Sequence, residues 1–282
     1  MAATTPPGDV LAVVRERVDE VLREVLAERR AAMTATEPDA AVLVDEIARL
    51  VAAGGKRLRP AFCVLGFRAG GGDAAACGIW RAAASLELFH TFALAHDDVI
   101  DGATERRGAP TTGTAFGGGA RGRAVAILVG DLAAELAGHL LRTSGFPADR
   151  LGVAMERYDA MVLALAAGQF LDLDEANRAS IDVSLRVARL KSGAYSVEGP
   201  LAIGASLAGA TTDVEAALAG YGRALGEAFQ LRDDLLDGEA APGVTAGDVD
   251  TRIEFACGAL ATIATDVAAD LRAVASSLRM GA

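Results

Sequence analysis

Lysine is almost absent from this chain. Of its 27 lysines and arginines, only Lys56 and Lys191 are lysines. A general preference for arginine explains the depletion but not why these two remain. A lysine ammonium is a compact point charge suited to phosphate, so both are candidate anion ligands. Cysteine is scarce as well. Cys63, Cys77 and Cys257 are scattered and odd in number, which excludes a disulfide framework and a cysteine-rich metal cluster. A reducing compartment suits them, and the cytoplasm is expected. Proline numbers 8 and aromatics make up 5%, while Ala, Leu and Val dominate, so the composition leans towards helix. Basic charge is in deficit. A formal net charge of −11 argues against nucleic acid as a partner and against anchoring on anionic lipid. No run of about 18 uncharged apolar residues is found, so no transmembrane segment is expected. The longest apolar stretches, 161–171 and 199–212, read as buried core helices. The opening MAATTPPGDV lacks the basic and apolar regions of a secretory signal.

What is present is helical periodicity. Leu11, Val14, Val18, Val21, Leu22 and Val25 recur at helical spacing, so an amphipathic helix is expected from a cap near Asp9. A second helix is expected over 40–53, ended by Gly54-Gly55. A third begins near Pro60 and runs to the glycines at 70–72. Asp73 is expected to cap a long helix reaching Asp101. The glycine-rich stretch 102–122 reads as loop. Further helices are expected at 123–143, 148–173, 182–207, 212–237 and 250–278. No strand-like alternation and no internal repeat is visible. The reading is all-α, about ten helices in a single domain over 1–282, with residues 1–8 disordered and 238–249 a loop.

Two acidic sets carry the chemistry. Asp97, Asp98 and Asp101 close one apolar helix in HTFALAHDDVID, and Asp233, Asp234 and Asp237 close another in FQLRDDLLD. Both have the spacing DDxxD, 136 residues apart. On a helix, the first and last aspartate of each set share a face. Like charges so placed repel each other and oppose the helix dipole, so something must compensate. One such set is compatible with a solvated helix end; two are not. Facing carboxylates suit hard divalent cations, and Mg²⁺ is commonly held by a few carboxylates together with substrate phosphates. A diphosphate bridged to both helices through Mg²⁺ is the natural reading. The basic residues fit it: Lys56, Arg57 and Arg59 in GGKRLRP, Arg106 and Arg107 after the first aspartates, and Lys191 in KSGAY.

The chain resembles the trans-type isoprenyl (polyprenyl) diphosphate synthases, and geranylgeranyl diphosphate synthases in particular. The matching stretches are GGKRLRP, HTFALAHDDVID, ERRGAPT, AILVGDLA, GQFLDL, KSGAYSVEGPLAIGASLAGA and GEAFQLRDDLLD, in family order from about residue 50 to 237. The resemblance implies the all-α bundle of the class I terpenoid synthases, a homodimer, and the substrates isopentenyl diphosphate and an allylic diphosphate. It implies that Asp97, Asp98 and Asp101, with Asp233, Asp234 and Asp237, hold up to three Mg²⁺ ions on the allylic diphosphate. Arg106 and Lys191 would contact that same diphosphate. Lys56, Arg59, His90 and Arg107 would bind isopentenyl diphosphate. Gln169, Ser192 and the Lys191 carbonyl would lie near the developing carbocation, and Gln230 and Tyr195 match further cavity positions.

The chemistry this implies is ionisation of the allylic C–O bond, attack by the isopentenyl double bond, and loss of a proton. Fixed cations stabilise the departing diphosphate, and proximity does the rest. No side-chain nucleophile is required. His96 reads as a packed core histidine. Phe92, five residues before Asp97, and Phe89, three earlier, are placed to limit the growing tail, while Ala93 leaves room. In the family this combination matches a C20 product, with C15 and C10 open.

The chain departs from the family after Asp237. Members usually continue with a segment of the kind GKxxGxDxxxGK, whereas here GEAAPGVTAGDV leads straight towards the last helix. Arg252 is the one basic residue nearby that could stand in for a missing lysine. Gly199 occupies a position that is often arginine, and Thr112-Gly113 departs from the usual continuation. Two alternatives therefore stand beside the synthase: a non-catalytic or regulatory subunit of a full-length synthase, and a class I terpene cyclase.

Overall fold

The computed structural model of the chain describes residues 10–173, 181–238, 240 and 243–279. The expected disorder of residues 1–8 falls outside them. Twelve α-helices carry nearly all the regular structure among the described residues: α1 (Val10–Thr36), α2 (Ala41–Ala52), α3 (Leu58–Ala69), α4 (Cys77–Ile100), α5 (Thr112–Ala115), α6 (Gly119–Arg142), α7 (Ala148–Asp172), α8 (Ile181–Ala188), α9 (Gly199–Ala208), α10 (Thr212–Asp237), α11 (Ala246–Gly258) and α12 (Thr265–Ser276). Short 3-10 turns precede α2 and follow α11, and a ten-residue π-helical stretch, Arg189–Glu198, joins α8 to α9.

The centre of the bundle is set by helix segments that are buried on every side. In α3 every residue from Pro60 to Phe67 is buried, and α4 buries Ile79, Trp80, Ala82 to Phe89 and Thr91. A helix segment with no exposed face is wrapped by others. Around α4 lie α1, α3 and α6, while α3 lies against α9. That last contact is backbone to backbone. A Cβ on Gly66 would strike the Leu201 carbonyl, and one on Gly204 would strike that of Cys63. The C-terminal helix is tied to this core by polar contacts. Arg68 on α3 bonds Asp270 at 2.6 Å and Asp266 at 3.0 Å on α12, and the buried Tyr221 hydroxyl on α10 donates to the Leu271 carbonyl at 2.8 Å.

Several expectations are corrected. Asp73 does not cap α4: its Oδ1 accepts from the Ala75 amide at 2.9 Å within the preceding turn, and α4 begins at Cys77. The stretch 102–122 is not all loop. Glu105–Arg106 pairs antiparallel with Ala109–Pro110, α5 follows, and α6 begins at Gly119. The expected helix over 182–207 is interrupted by the π-helical stretch. The expected helix over 250–278 is two helices, α11 and α12, separated by a 3-10 turn and an extended Ile263. The loop after α10 is shorter than expected, because α11 starts at Ala246 behind a reciprocal Thr245–Asp248 cap. One helix, α6, is long and apolar enough to cross a membrane by length and composition, which the residue-by-residue reading did not anticipate. Half of its apolar window is buried; Val129, Ala133, Leu136, Ala137 and Leu140 pack inward, and α6 lies along α4.

The close approach of α3 and α9 gives a direct test. Gly204→Ala is expected to destabilise the chain by about 1–3 kcal/mol in urea unfolding, since the added methyl has no space. Gly152→Ala on the exposed side of α7, where nothing lies within 4 Å of the new methyl, is expected to stabilise by about 0.5–1 kcal/mol.

Candidate active site

A cavity of about 460 Å³ opens between the C-terminal half of α4, α7, the π-helical stretch and α10. Asp97, Asp233 and Asp234 line it, with Arg59, His90, Arg106, Arg107, Lys191, Ser192, Gln169, Gln230 and Tyr195. Most of the predicted site is thereby brought to one space. Among the described residues, Lys56, Phe89, Asp98 and Asp101 lie outside the lining. Lys56 is exposed, and Asp101 stands at the end of α4. Asp98 is 7% exposed and turned towards Arg106. The side chain of Asp237 lies outside the described residues.

The compensation demanded by the aspartates is supplied by two cations. Arg106 Nε donates to Asp98 Oδ1 at 2.7 Å, and its Nη2 to Asp97 Oδ2 at 3.3 Å. Lys191 Nζ donates to Asp172 Oδ2 at 2.6 Å and lies 3.6 Å from Asp97 Oδ1. Burial pulls the Lys191 ammonium down, but the Asp172 hydrogen bond and the charges of Asp97, Asp172 and Asp101 outweigh it, and its pKa is raised. Burial likewise opposes the Arg106 charge, and Asp98, Asp97 and Asp101 raise it overall. Burial pushes the Asp98 carboxyl up against the pull of Arg106; burial and Asp97 push that of Asp101 up. Asp172 was missed by the sequence reading although GQFLDL was singled out. It lies three residues after Gln169, hence on the same face of α7.

Two local devices bring these cations in. Arg106 returns to Asp98 because the chain reverses at Arg107-Gly108. Both residues have positive φ, 53° and 76°, as in the mirror-image two-residue hairpin turn. The far side of this hairpin is tied to α2: Arg49 donates to the Pro110 carbonyl at 3.3 Å, and Thr112 Oγ1 to the buried Glu46 at 2.7 Å. The departure at Thr112 thus has a structural partner. Lys191 sits in the π-helical stretch, a geometry that recurs at functional sites. Gly168 lets α7 approach there, since a Cβ on it would collide with the Lys191 backbone.

A hard cation fits the acidic side. Asp97 Oδ1 is buried with no hydrogen-bond partner, and Asp233 and Asp234 line the same cavity. Asp234 accepts from Gln230 Nε2 at 2.6 Å, and Asp233 from Arg232 at 3.4 Å. Among the described residues, no three acidic, histidine or cysteine side chains converge as a ready-made metal cluster. Ligands from outside the protein have to complete any such site. Arg252 is engaged elsewhere, with Glu227 at 3.2 Å and the Asp248 carbonyl at 3.3 Å.

The opposite side is basic. Arg59 Nη2 donates to Ser196 Oγ at 2.7 Å and the Tyr195 hydroxyl at 3.0 Å, and the guanidinium lies 4.5 Å over the Tyr195 ring. His90 lines the cavity, while its Nδ1 is buried and unpartnered among the described residues. Burial first, then the charges of Arg59, Arg107, Arg106 and Arg57, hold its pKa well below the ordinary value of 6.5, so the ring is neutral. Beneath the polar groups the cavity is apolar. Phe92, Ala93, Val162 and Leu165 line it, and the ring of His96 packs edge-on against Phe92 at 4.9 Å. Phe89 is buried below, 5.3 Å from Phe92 and 5.5 Å from Tyr158.

Comparison with known proteins agrees with this geometry. Residues 41–253 match the polyprenyl synthetase family. A geranylfarnesyl diphosphate synthase of Aeropyrum pernix is 36% identical over 71% of this chain and 63% of its own length. A geranylgeranyl pyrophosphate synthase of Geoglobus acetivorans is 34% identical over 80% of this chain and 65% of its own. The chain thus spans less than two thirds of these relatives' length. Among solved structures, geranylgeranyl pyrophosphate synthase from Corynebacterium glutamicum, complexed with isoprenyl diphosphate and magnesium, superposes with a TM-score of 0.86 at 27% identity, covering 98% of this chain and 99% of that one.

His90 makes the site's electrostatics measurable. Its folded pKa is depressed, so its contribution to stability is present above pH 6.5 and is lost as the pH falls towards the folded value. Wild type is expected to lose up to about 1.4 kcal/mol per pH unit more than His90→Gln below that point, read by urea unfolding at a series of pH values.

Proposed function

Since the chain belongs to the polyprenyl synthetase family, we propose that it is a short-chain prenyl diphosphate synthase joining isopentenyl diphosphate to an allylic diphosphate. The observation that carries this reading is one cavity with Asp97, Asp233 and Asp234 at one side, Arg59, His90 and Arg107 at another, and an apolar floor. Two diphosphates and a hydrocarbon tail are what such a surface recognises. Asp97, Asp233 and Asp234, aided by Asp98, Asp101 and Asp237, would hold Mg²⁺, which supplies neutralisation of the charge growing on a departing diphosphate.

The side chains account for the remaining tasks. Arg106 and Lys191 contact the allylic diphosphate and favour C–O cleavage by stabilising the anion that leaves. Both are raised in pKa and stay charged throughout the physiological range. Arg59, Arg107, Lys56 and the neutral His90 orient isopentenyl diphosphate so that its double bond faces the allylic carbon. Gln169, Ser192 and the Lys191 carbonyl turn oxygen dipoles towards the positive charge on that carbon. The proton released after bond formation goes to the departed diphosphate. Phe92, backed by Phe89, closes the floor and supports a C20 product. Exposed Ile127 and Leu128 on α6 and Val153 and Leu163 on α7 support a second copy of the chain as partner, and three free cysteines support a cytoplasmic setting.

The test is a product assay. Purified chain with Mg²⁺, isopentenyl diphosphate and a C5, C10 or C15 allylic diphosphate is expected to yield C20 by mass spectrometry. Asp97→Ala should lower turnover on the order of 100-fold or more, and Phe92→Ala should lengthen the product. Absence of product from every starter would sink the synthase reading in favour of a non-catalytic subunit. Product formed from an allylic diphosphate alone, without isopentenyl diphosphate, would favour a cyclase.

A further inference from the structure

The sequence GGKRLRP places three basic residues within four positions, and the structure sends them in different directions. Arg59 lines the cavity and Lys56 is exposed, but the Arg57 side chain is 3% exposed and points into the protein. No part of it faces the diphosphate cavity. Its partners come from three helices. Nε donates to Asp19 on α1 at 2.9 Å, Nη1 to Glu87 on α4 at 2.6 Å, and Nη2 to the Val51 carbonyl at the end of α2 at 2.8 Å. Its own backbone is left-handed, with φ 51° and ψ 41°, and it is the residue immediately before α3.

Left-handed backbone is unfavourable for any residue with a Cβ and persists only where the surroundings over-determine it. Among the described residues just two non-glycines have positive φ, Arg57 and Arg107. Each is next to a basic residue of the site. For Arg57 the over-determination is visible, because a planar guanidinium can bond in three directions at once and an ammonium cannot hold the same set with fixed geometry. Glu87, its shortest partner, is one helical turn before His90, and the Glu87 carbonyl accepts from Thr91 Oγ1 at 2.9 Å. The Arg57–Glu87 pair therefore joins the turn that leads into Arg59 to the turn of α4 that carries His90.

We propose that Arg57 is a positioning residue: held by Glu87 and Asp19, it fixes the left-handed turn that sets Lys56 and Arg59 relative to His90, and so governs the affinity of the second diphosphate. The proposal rests on the synthase reading for the identity of that ligand. It separates the two substrates, since no Arg57 contact reaches the aspartates, Lys191 or Arg106. A buried arginine that only held the fold together would not make that distinction.

The experiment compares wild type with Glu87→Gln, Arg57→Met and Arg57→Lys by steady-state kinetics, at a temperature below every variant's thermal transition. The KM for isopentenyl diphosphate is expected to rise about tenfold in Glu87→Gln. The KM for the allylic diphosphate and kcat should change by less than about threefold. Arg57→Lys should recover part of the affinity that Arg57→Met loses, because the ammonium still reaches one carboxylate. Equal shifts in both KM values, a fall in kcat alone, or no shift would each overturn the proposal. If wild type forms no product, the synthase reading fails instead. Positioning is then read by calorimetric titration with inorganic diphosphate, where Glu87→Gln must bind more weakly than wild type for the proposal to stand.

Discussion

Carboxylates crowded at the mouth of one cavity are the constraint on which the rest of the structure depends. Asp97, Asp98, Asp101 and Asp172 stand near one another on α4 and α7, with Asp233 and Asp234 lining the same space from α10. Unit charges a few ångströms apart in a partly dry site repel strongly. Lys191, between Asp97 and Asp172, and Arg106, across Asp97 and Asp98, are the counterweight. Neither cation reaches its place in an ordinary helix. Arg106 needs a hairpin with a left-handed residue at its tip, and Lys191 needs ten residues of π-helix and a glycine notch on α7. The local oddities of the fold are thus the means by which charge is brought back to the aspartates.

The basic side follows a different logic. Among the described residues, no acid pairs with Arg59, Arg107 or His90. Arg59 bonds a hydroxyl pair and lies over an aromatic ring, and His90 avoids the problem by staying uncharged. Their geometry is secured from behind, through Arg57 and Glu87, and through Glu46 and Arg49 under the hairpin. The acidic side is therefore pre-neutralised and the basic side pre-positioned. That division suits the proposed reaction, in which one diphosphate leaves and the other only waits.

Much of this was legible in the sequence where the signal was local. The two DDxxD sets, the basic clusters flanking them and the ends of most helices depend on spacing along one chain segment. The misses share a cause. That Asp98 and Arg57 face inward depends on partners tens of residues away or on another helix. Asp172 has meaning only through Lys191. The hairpin at Arg107-Gly108 lacks the usual Asn-Gly signal. Within the π-helical stretch only Leu190, Ala194, Tyr195 and Val197 are apolar, too few to reveal a change of period in the sequence. The break before α12 carries no proline, and alanine on both sides disguised it.

The scarcity of lysine has a practical consequence. Amine-reactive reagents, which modify most proteins at many places, have few side-chain targets here, Lys56 and Lys191. The two differ in character. Lys56 is exposed, whereas Lys191 is half-buried, hydrogen-bonded to Asp172 and raised in pKa, so it offers little free amine. A reagent of this class becomes a site-directed label by default. It marks the turn before α3 first and reports on the acidic side of the cavity only when the Asp172 contact opens.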